Sequence, residues 1–261
     1  MNSYNINRKW KFEYGHGKKL IVILPRMDYT DVNIDEWTDL LNPFTEDASF
    51  LILDMPEKLT QENISNFTVK DLAYETNKYL TKNNIIPDMI WGFSLGGMIA
   101  QELSIYDSFV KTPLLLISTN LYANTKLKAI FSSWSLMVHK YGIPGFNLSL
   151  IPWISNSKNL PILNYDLLSP TTDDLIALNK IKSSLNAVSL HDARKITNSL
   201  KAPMKILFGE YSVLLGKSEA NTFREYLPNS EIIFIKDSSM RILNDNKKST
   251  IPLIKEYLSS N

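Results

Sequence analysis

The chain has 261 residues and no cysteine, which excludes disulfide bonds, thiolate catalysis and zinc–thiolate sites. Long apolar runs are also missing, so no segment of the sequence is expected to span a bilayer. The polar N-terminal residues Met1 to Lys11 lack the apolar core of a signal peptide. These absences together lead us to expect a cytoplasmic protein.

An excess of charge of either sign is absent as well, because the formal net charge is +1. The sequence therefore gives no electrostatic reason to expect nucleic acid or an anionic membrane as a partner. No motif for a nucleotide, flavin or haem occurs, and His139 and His191 are too isolated to be interpreted as metal ligands. We expect no cofactor and no metal, and a small-molecule substrate or ligand as the partner. The length suffices for one domain with a full core.

Short apolar runs alternate with helical patterns along the chain. The runs interpreted as buried strands are Leu20–Leu24, Phe50–Leu53, Met89–Phe93, Leu114–Ser118, Lys205–Gly209 and Ile232–Ile235. The predicted helices are Ile34–Leu41, Val69–Lys82, Leu95–Tyr106, Lys217–Tyr226 and Ser249–Tyr257. This alternation predicts an α/β fold, a mostly parallel sheet with helices on both faces. Trp10–Tyr14 and Leu20–Leu24, joined through two glycines, predict an N-terminal hairpin that feeds the sheet.

The stretch from residue 121 to about 200 interrupts this alternation because it contains only helical patterns. Leu127, Phe131, Trp134 and Val138 recur at helical spacing. We interpret this stretch as a helical cap inserted into a core made of residues 1–120 and 201–261. The cap either contributes packing alone or forms the roof of an apolar pocket, with Phe131 and Trp134 as candidate pocket residues.

A Gly-x-Ser-x-Gly motif centred on Ser94 lies between a predicted strand and a predicted helix. Such a serine occupies a sharp turn in a strained backbone conformation, and the flanking glycines avoid collisions with neighbouring backbone. The amide of Leu95, at a helix N-terminus, would favour an anion developing at the same place. The alternative is that a tight strand-to-helix turn only needs small residues there.

With this motif in place, the chain resembles the α/β-hydrolase superfamily over nearly its whole length, close to the esterase, haloperoxidase and small-lactonase type. The segments that carry the resemblance are Ile90–Ala100, Leu51–Pro56, Asp71–Ala73 and Ala202–Glu210. The resemblance implies an α/β-hydrolase fold, with Ser94 at the position of the nucleophile.

Three positions depart from the pattern of that family. Ser212 stands where the resemblance implies a catalytic aspartate, and Met240 stands where it implies the histidine base. The loop that supplies the second oxyanion-hole amide reads Leu-Pro-Arg-Met, so the donor would be Arg26 or Met27, and a proline at that position would remove it. A serine hydroxyl is a poor nucleophile without a base, so ordinary ester hydrolysis is not expected.

Several residues are candidates to replace the missing base or to hold a ligand. His139, on a predicted cap helix, is the best substitute base if it faces the pocket, although a solvated outer position is the more frequent case. Asp237 and Arg241 flank Met240, and would act as a general base and as a clamp for a substrate carboxylate or carbonyl. The alternative is that both are solvated loop charges.

Three functions remain open at this stage. The leading one is a non-hydrolytic enzyme of the cyclase, isomerase or lyase type acting on an apolar molecule, with Ser94 as a hydrogen-bond donor. The second is a serine acyl-hydrolase or acyltransferase with a relocated base. The third is a ligand-binding pseudoenzyme.

Overall fold

A computed structural model describes residues 11–27, 34–56, 66–156, 158, 160 and 175–261 of the chain. Within these residues the centre of the molecule is one seven-stranded sheet. Its strands are β1 Lys11–Gly15, β2 Lys19–Ile23, β3 Ala48–Leu53, β4 Met89–Phe93, β5 Leu114–Ile117, β6 Met204–Gly209 and β7 Glu231–Ile235. Each of the six predicted buried strands is present within two residues of its predicted bounds.

The strands are arranged in the order β1-β3-β2-β4-β5-β6-β7. All neighbouring pairs are parallel except β1 with β3. Parallel strands bring their carboxyl ends to one edge of the sheet, and open sheets of this kind hold their sites there.

The predicted N-terminal hairpin is wrong. β1 pairs antiparallel with β3, through pairs such as Phe12 with Ile52, and β3 separates it from β2. The sequence pattern identified both strands, but strand pairing depends on long-range contacts that a local turn signal does not report. Trp10, which began the predicted strand, lies outside the described residues.

Helices cover both faces of the sheet, as predicted. Their bounds are α1 Ile34–Leu41, α2 Val69–Lys82, α3 Leu95–Leu103, α4 Thr125–Ile154, α5 Leu175–Leu190, α6 Lys217–Tyr226, α7 Ile242–Asp245 and α8 Lys247–Ser260. Local sequence explains where they begin. The hydroxyl of Thr68 accepts a hydrogen bond from the amide of Asp71, whose carboxylate accepts one from the amide of Thr68, which is a capping box.

The two faces of the sheet form two apolar layers. Val22 on β2 packs into the layer under α2, α3 and α4, whereas its neighbours Ile21 and Ile23 pack into the layer under α1 and α8. This alternation follows from the two-residue period of a strand. Both layers consist of fully buried side chains, so the central strands are apolar on both faces.

Between β5 and β6 the described residues form helices, with one isolated bridge between Tyr122 and Asp192. α4 is divided by Gly142, whose φ of 63° and ψ of −154° are not helical. The division into core and cap stays a prediction. Among the described helices, none has both the length and the apolar character needed to cross a membrane.

Candidate functional site

The turn at residues 92–97, called the elbow below, connects β4 to α3 at the carboxyl edge of the sheet. Ser94 has a φ of 50° and a ψ of −111°, a region that non-glycine residues rarely adopt. A β-carbon on Gly92 would lie 2.5 Å from the backbone of Gly96, which is closer than atoms can approach. Gly92 is therefore required by the close approach of the backbone at this turn, whereas the contacts beside Gly96 are milder.

The backbone of Ser94 is held by two residues at and just after the end of β5. Its amide donates to the carbonyl of Ile117 at 3.0 Å, and its carbonyl accepts from the hydroxyl of Thr119 at 2.8 Å. Thr119 also fills the space beside Gly97, where a β-carbon would lie 2.6 Å from the threonine side chain. The sequence offered no signal for Thr119, because its contact with the elbow depends on the pairing of β4 with β5.

Ser94 opens into a cavity of about 350 Å³. Most of its wall is apolar, and part of the roof comes from the aromatic residues Phe131, Trp134 and Phe146 of α4. The remaining described lining residues are Arg26, Met27, Glu36, Leu40, Phe93, Met98, Ile117, Ser118, Asn147, Leu150, Ile154, Val188, Leu214, Leu215, Met240, Arg241, Ile242, Leu243 and Asn244. This volume lies in the range of about 300–1,000 Å³ that is typical of small-molecule sites.

The oxyanion-hole candidates lie at this cavity. Leu95 is the first residue of α3, so its amide belongs to the helix N-terminus, where amides have no intrahelical partner. Arg26 and Met27 line the cavity wall, in the loop that follows β2. The carbonyls of Leu24 and Pro25 lie 3.1 and 3.0 Å from where a β-carbon on Gly96 would be, so this loop packs directly on the elbow.

The position expected for the base is occupied by Met240, which lines the cavity. Its carbonyl accepts a hydrogen bond from the hydroxyl of Ser118 at 2.8 Å, so the backbone at this position is held in place. Ser212, at the position expected for the acid, borders a surface groove, and its buried hydroxyl has no hydrogen-bond partner among the described residues. Neither a thioether nor a hydroxyl takes up a proton at neutral pH.

Two of the candidate substitutes are not in the cavity. His139 lies on the exposed side of α4 and is not among the residues that line the cavity, because the helix directs its neighbour Val138 inward instead. Asp237 forms an exposed ion pair with Lys158 at 2.9 Å and is not among the residues that line the cavity. Neither residue is therefore placed to act as a base for Ser94. Arg241, Trp134 and Phe131 do line the cavity.

All three histidines of the chain lie in the described residues, and none lines the cavity. His16 is exposed in the loop after β1. His191 is buried, with its Nε2 atom 3.4 Å from Oε1 of Gln101. Burial lowers the pKa of His191 to about 4. No imidazole therefore lies in the wall of the cavity into which Ser94 opens.

Among the described residues, Glu36 provides the one carboxylate in the cavity wall. Arg26 donates two hydrogen bonds to it, 3.3 Å from Nη1 to Oε1 and 2.6 Å from Nη2 to Oε2. Arg241 donates a third, 3.2 Å from Nη2 to Oε1. Burial alone would raise the pKa of Glu36, but the two arginines lower it below its ordinary value. Glu36 is thus a weaker base than a free carboxylate.

Glu36 and Phe146 are cavity residues that the sequence did not indicate. Glu36 precedes its partner Arg241 by 205 residues, so no local spacing connects them. Phe146 follows the break at Gly142, where the helical period that singled out Phe131 and Trp134 ends. Within the described residues there is no group of three or more histidine, aspartate or glutamate side chains that could hold a metal ion.

Comparison with known proteins finds similarity at the level of structure alone. No protein-family model matches the chain, and no curated protein matches its sequence. An α/β-hydrolase enzyme from a Medee basin deep-sea metagenome library is similar at a TM-score of 0.80 and 18% identity, covering 97% of this chain and 94% of that one. A malate-bound thermophilic esterase from Thermogutta terrifontis has a TM-score of 0.73 and 15% identity, covering 96% and 92%.

A homoserine O-acetyltransferase from Staphylococcus aureus is similar at a TM-score of 0.71 and 17% identity, covering 95% of this chain and 88% of that one. At such low identities the comparisons show the fold and no residue role. The chain has the α/β-hydrolase fold, as the resemblance implied.

Proposed function

We propose that this protein is a non-hydrolytic enzyme that binds an apolar small molecule carrying a carbonyl group in the cavity beside Ser94. The observation that carries the proposal is the occupant of the base position: the thioether of Met240 lines the cavity, and no histidine does. Without a base the serine hydroxyl is a poor nucleophile, so acyl transfer through Ser94 is not favoured.

The site retains the groups that stabilise negative charge on an oxygen atom. The amide of Leu95 lies at the N-terminus of α3, and the hydroxyl of Ser94 makes no capping hydrogen bond with that helix. Both are available to donate to a carbonyl oxygen. One such preorganised donor is worth about 3 to 4 kcal/mol of transition-state stabilisation. Cyclisation, isomerisation and elimination next to a carbonyl all build up charge on that oxygen.

The apolar wall supports an apolar substrate. The roof residues Phe131, Trp134 and Phe146 are almost fully buried, and their rings contact one another at centroid distances of 5.6 and 6.1 Å. A rigid aromatic wall restricts the conformations of a bound chain, and such restriction lowers the barrier of a cyclisation. Esterases and acetyltransferases of this fold act on carbonyl compounds, which agrees with a carbonyl ligand here.

A fluorophosphonate probe tests the proposal directly, because it labels serines that have an activating base. We expect no labelling of Ser94 under conditions that label an esterase with a complete triad. Incubation with apolar carbonyl compounds should give products of equal mass, or of mass reduced by water, without an acyl-enzyme. Ser94→Ala should retain part of the rate. Stoichiometric labelling of Ser94, or a hydrolysed product, would reject the proposal.

A second candidate is a ligand-binding protein without turnover. The arrangement of Glu36 favours it, because the one carboxylate in the described cavity wall is held by two arginines and has a lowered pKa. Such a site offers no efficient group for removing a proton. A compound that raises the melting temperature by binding in the cavity and stays chemically unchanged would identify this function.

A further inference from the structure

The guanidinium of Arg241 lies at the cavity and uses few of its hydrogen-bond donors. It follows Met240 directly in the chain, and 46% of its side chain is exposed. Its hydrogen-bond partner among the described residues is Oε1 of Glu36, at 3.2 Å. A guanidinium has five N–H donors in a fixed planar fork. Most of the donors of Arg241 are therefore free to bind a ligand.

Glu36 does not neutralise Arg241 by itself, because Arg26 already binds both of its carboxylate oxygens. The guanidinium of Arg26 also stacks over the ring of Trp37 at 4.8 Å, which fixes its orientation. Arg26 thus binds both oxygens of the one carboxylate in the described wall, and Arg241 adds a second positive charge beside it. Arg241 is the less tightly held of the two arginines.

The charged residues of the cavity wall form one cluster, because Arg26 and Arg241 both bind Glu36. Apart from Arg26, Glu36 and Arg241, every described residue in the wall is uncharged. The aromatic residues around Trp134 belong to this uncharged part of the wall. A ligand that satisfies both parts has an anionic head and an apolar body.

We infer that the ligand is an amphipathic organic acid whose carboxylate binds Arg241 while its apolar body fills the cavity under α4. A carboxylate matches the planar donor fork of one guanidinium with two parallel hydrogen bonds. The inference rests on the proposed use of this cavity, but it concerns binding and does not require turnover.

Matched ligands that differ only in the head group test this inference. Decanoate, decanol and methyl decanoate have the same apolar chain, and their binding is measured by calorimetry and by the tryptophan fluorescence of the purified protein. We expect decanoate to bind roughly 10- to 100-fold more tightly than decanol, as hydrogen bonds to a charged group imply. Arg241→Gln should abolish this preference and leave the affinity for decanol unchanged.

Two further variants separate the explanations. Arg241→Lys should keep part of the preference, because the charge remains and the fork is lost. Arg224→Gln, which removes an exposed arginine on α6 away from the cavity, should bind all three ligands as the wild-type protein does. Equal affinity for acid and alcohol, no binding of decanoate, or an unchanged preference in Arg241→Gln would each overturn the inference.

The failure of this inference is distinguishable from the failure of the proposed function. Ser94→Ala should keep the preference for decanoate, since Ser94 is not part of the anion site. Labelling of Ser94 by a fluorophosphonate together with an intact acid preference would reject the proposed function alone. Turnover of a neutral carbonyl compound without any acid preference would reject the inference alone.

Discussion

The elbow at residues 92–97 and the turn at residues 236–241, called the base turn below, hold their backbones in different ways. The elbow packs backbone against backbone at Gly92, and the hydroxyl of Thr119 donates a hydrogen bond to it. The base turn also packs closely, against Gly209, and several polar side chains hold it in addition. Asp245 accepts hydrogen bonds from the amide of Ser239 at 2.7 Å and from its hydroxyl at 2.6 Å. Asn156 donates to the carbonyl of Asp237 at 2.9 Å.

The base turn therefore connects the C-terminal end of α4 to the sheet. The hydroxyl of Ser239 contacts the carbonyl of Ile154 at the end of α4, at 2.8 Å. A proton-transferring side chain is not needed for that task, and Met240 provides an apolar surface instead. The comparison teaches that packing and polar contacts maintain each turn separately, and that the hydrogen bond cited at Met240 uses its backbone carbonyl and not its side chain.

The largest expected effect comes from returning a base to the base turn. The double variant Met240→His with Ser212→Asp places an imidazole in the cavity wall and a carboxylate at the acid position. A positioned general base contributes about 10²- to 10⁴-fold in rate, so hydrolysis of p-nitrophenyl acetate should rise by at least about 10²-fold. The assay is release of p-nitrophenol by the purified variant.

The same double variant with Ser94→Ala is the control, and it should fall back to the wild-type rate. Single Met240→His should show a smaller gain, since its imidazole lacks an orienting carboxylate. A folded double variant with no gain would mean that the elbow and the base turn are not aligned for catalysis. Both turns would then serve packing alone.

The next largest expected effect is a loss of stability when a β-carbon is added at the closely packed glycine of either turn. A β-carbon at Gly209 would lie 1.8 Å from the carbonyl oxygen of Ser239 in the base turn, and one at Gly92 would lie 2.5 Å from the backbone of the elbow. Gly92→Ala should lower the free energy of unfolding by about 3 kcal/mol, the upper end of the usual range for overpacking. Gly209→Ala should have at least as large an effect. Urea denaturation measures both.

Gly96→Ala is the matched control for these two variants. Its β-carbon would meet the carbonyl of Pro25 at 3.0 Å, a milder contact, and Gly96 lies in the first turn of α3. Replacing glycine by alanine in a helix gains about 0.5 to 1 kcal/mol, which offsets this contact. A loss at Gly96→Ala equal to that at Gly92→Ala would contradict the ranking by distance.

The fold was largely accessible from the sequence because its signals are local. The apolar runs that became β4, β5 and β6 are short and continuous, as strands buried on both faces must be. The pairing of β1 with β3 was missed because it depends on which distant strand completes the sheet edge.

The candidate site was accessible only in part, for the same reason. Ser94 carries a local motif, and Met240 and Ser212 were located by resemblance. Glu36 lies in α1, which follows β2, whereas Arg241 follows β7 at the far edge of the sheet. Thr119 follows β5 and contacts Ser94 in the elbow. Such pairs follow from topology, which no spacing in the sequence encodes.

The smallest expected effect is a pH dependence of the free energy of unfolding, which arises beside the helix that follows the elbow. The elbow continues into α3, whose Gln101 lies beside buried His191 and donates to the carbonyl of Asn120 at 3.1 Å. Burial lowers the pKa of His191 from 6.5 to about 4, so the folded state favours the neutral ring. The unfolded chain binds more protons between these values, and stability is therefore lost as the pH falls through this window.

For a shift of this size the loss between neutral pH and pH 5 is about 2 kcal/mol, measured by urea denaturation as a function of pH. Glu102 gives a contribution of opposite sign, because burial raises its pKa and the folded state then binds the extra proton. The decisive quantity is therefore the difference between wild-type and His191→Gln protein, which should grow as the pH rises from 5 to 7. His139→Gln, which alters an exposed ring, should show no such trend, and an equal trend in both variants would remove His191 as its source.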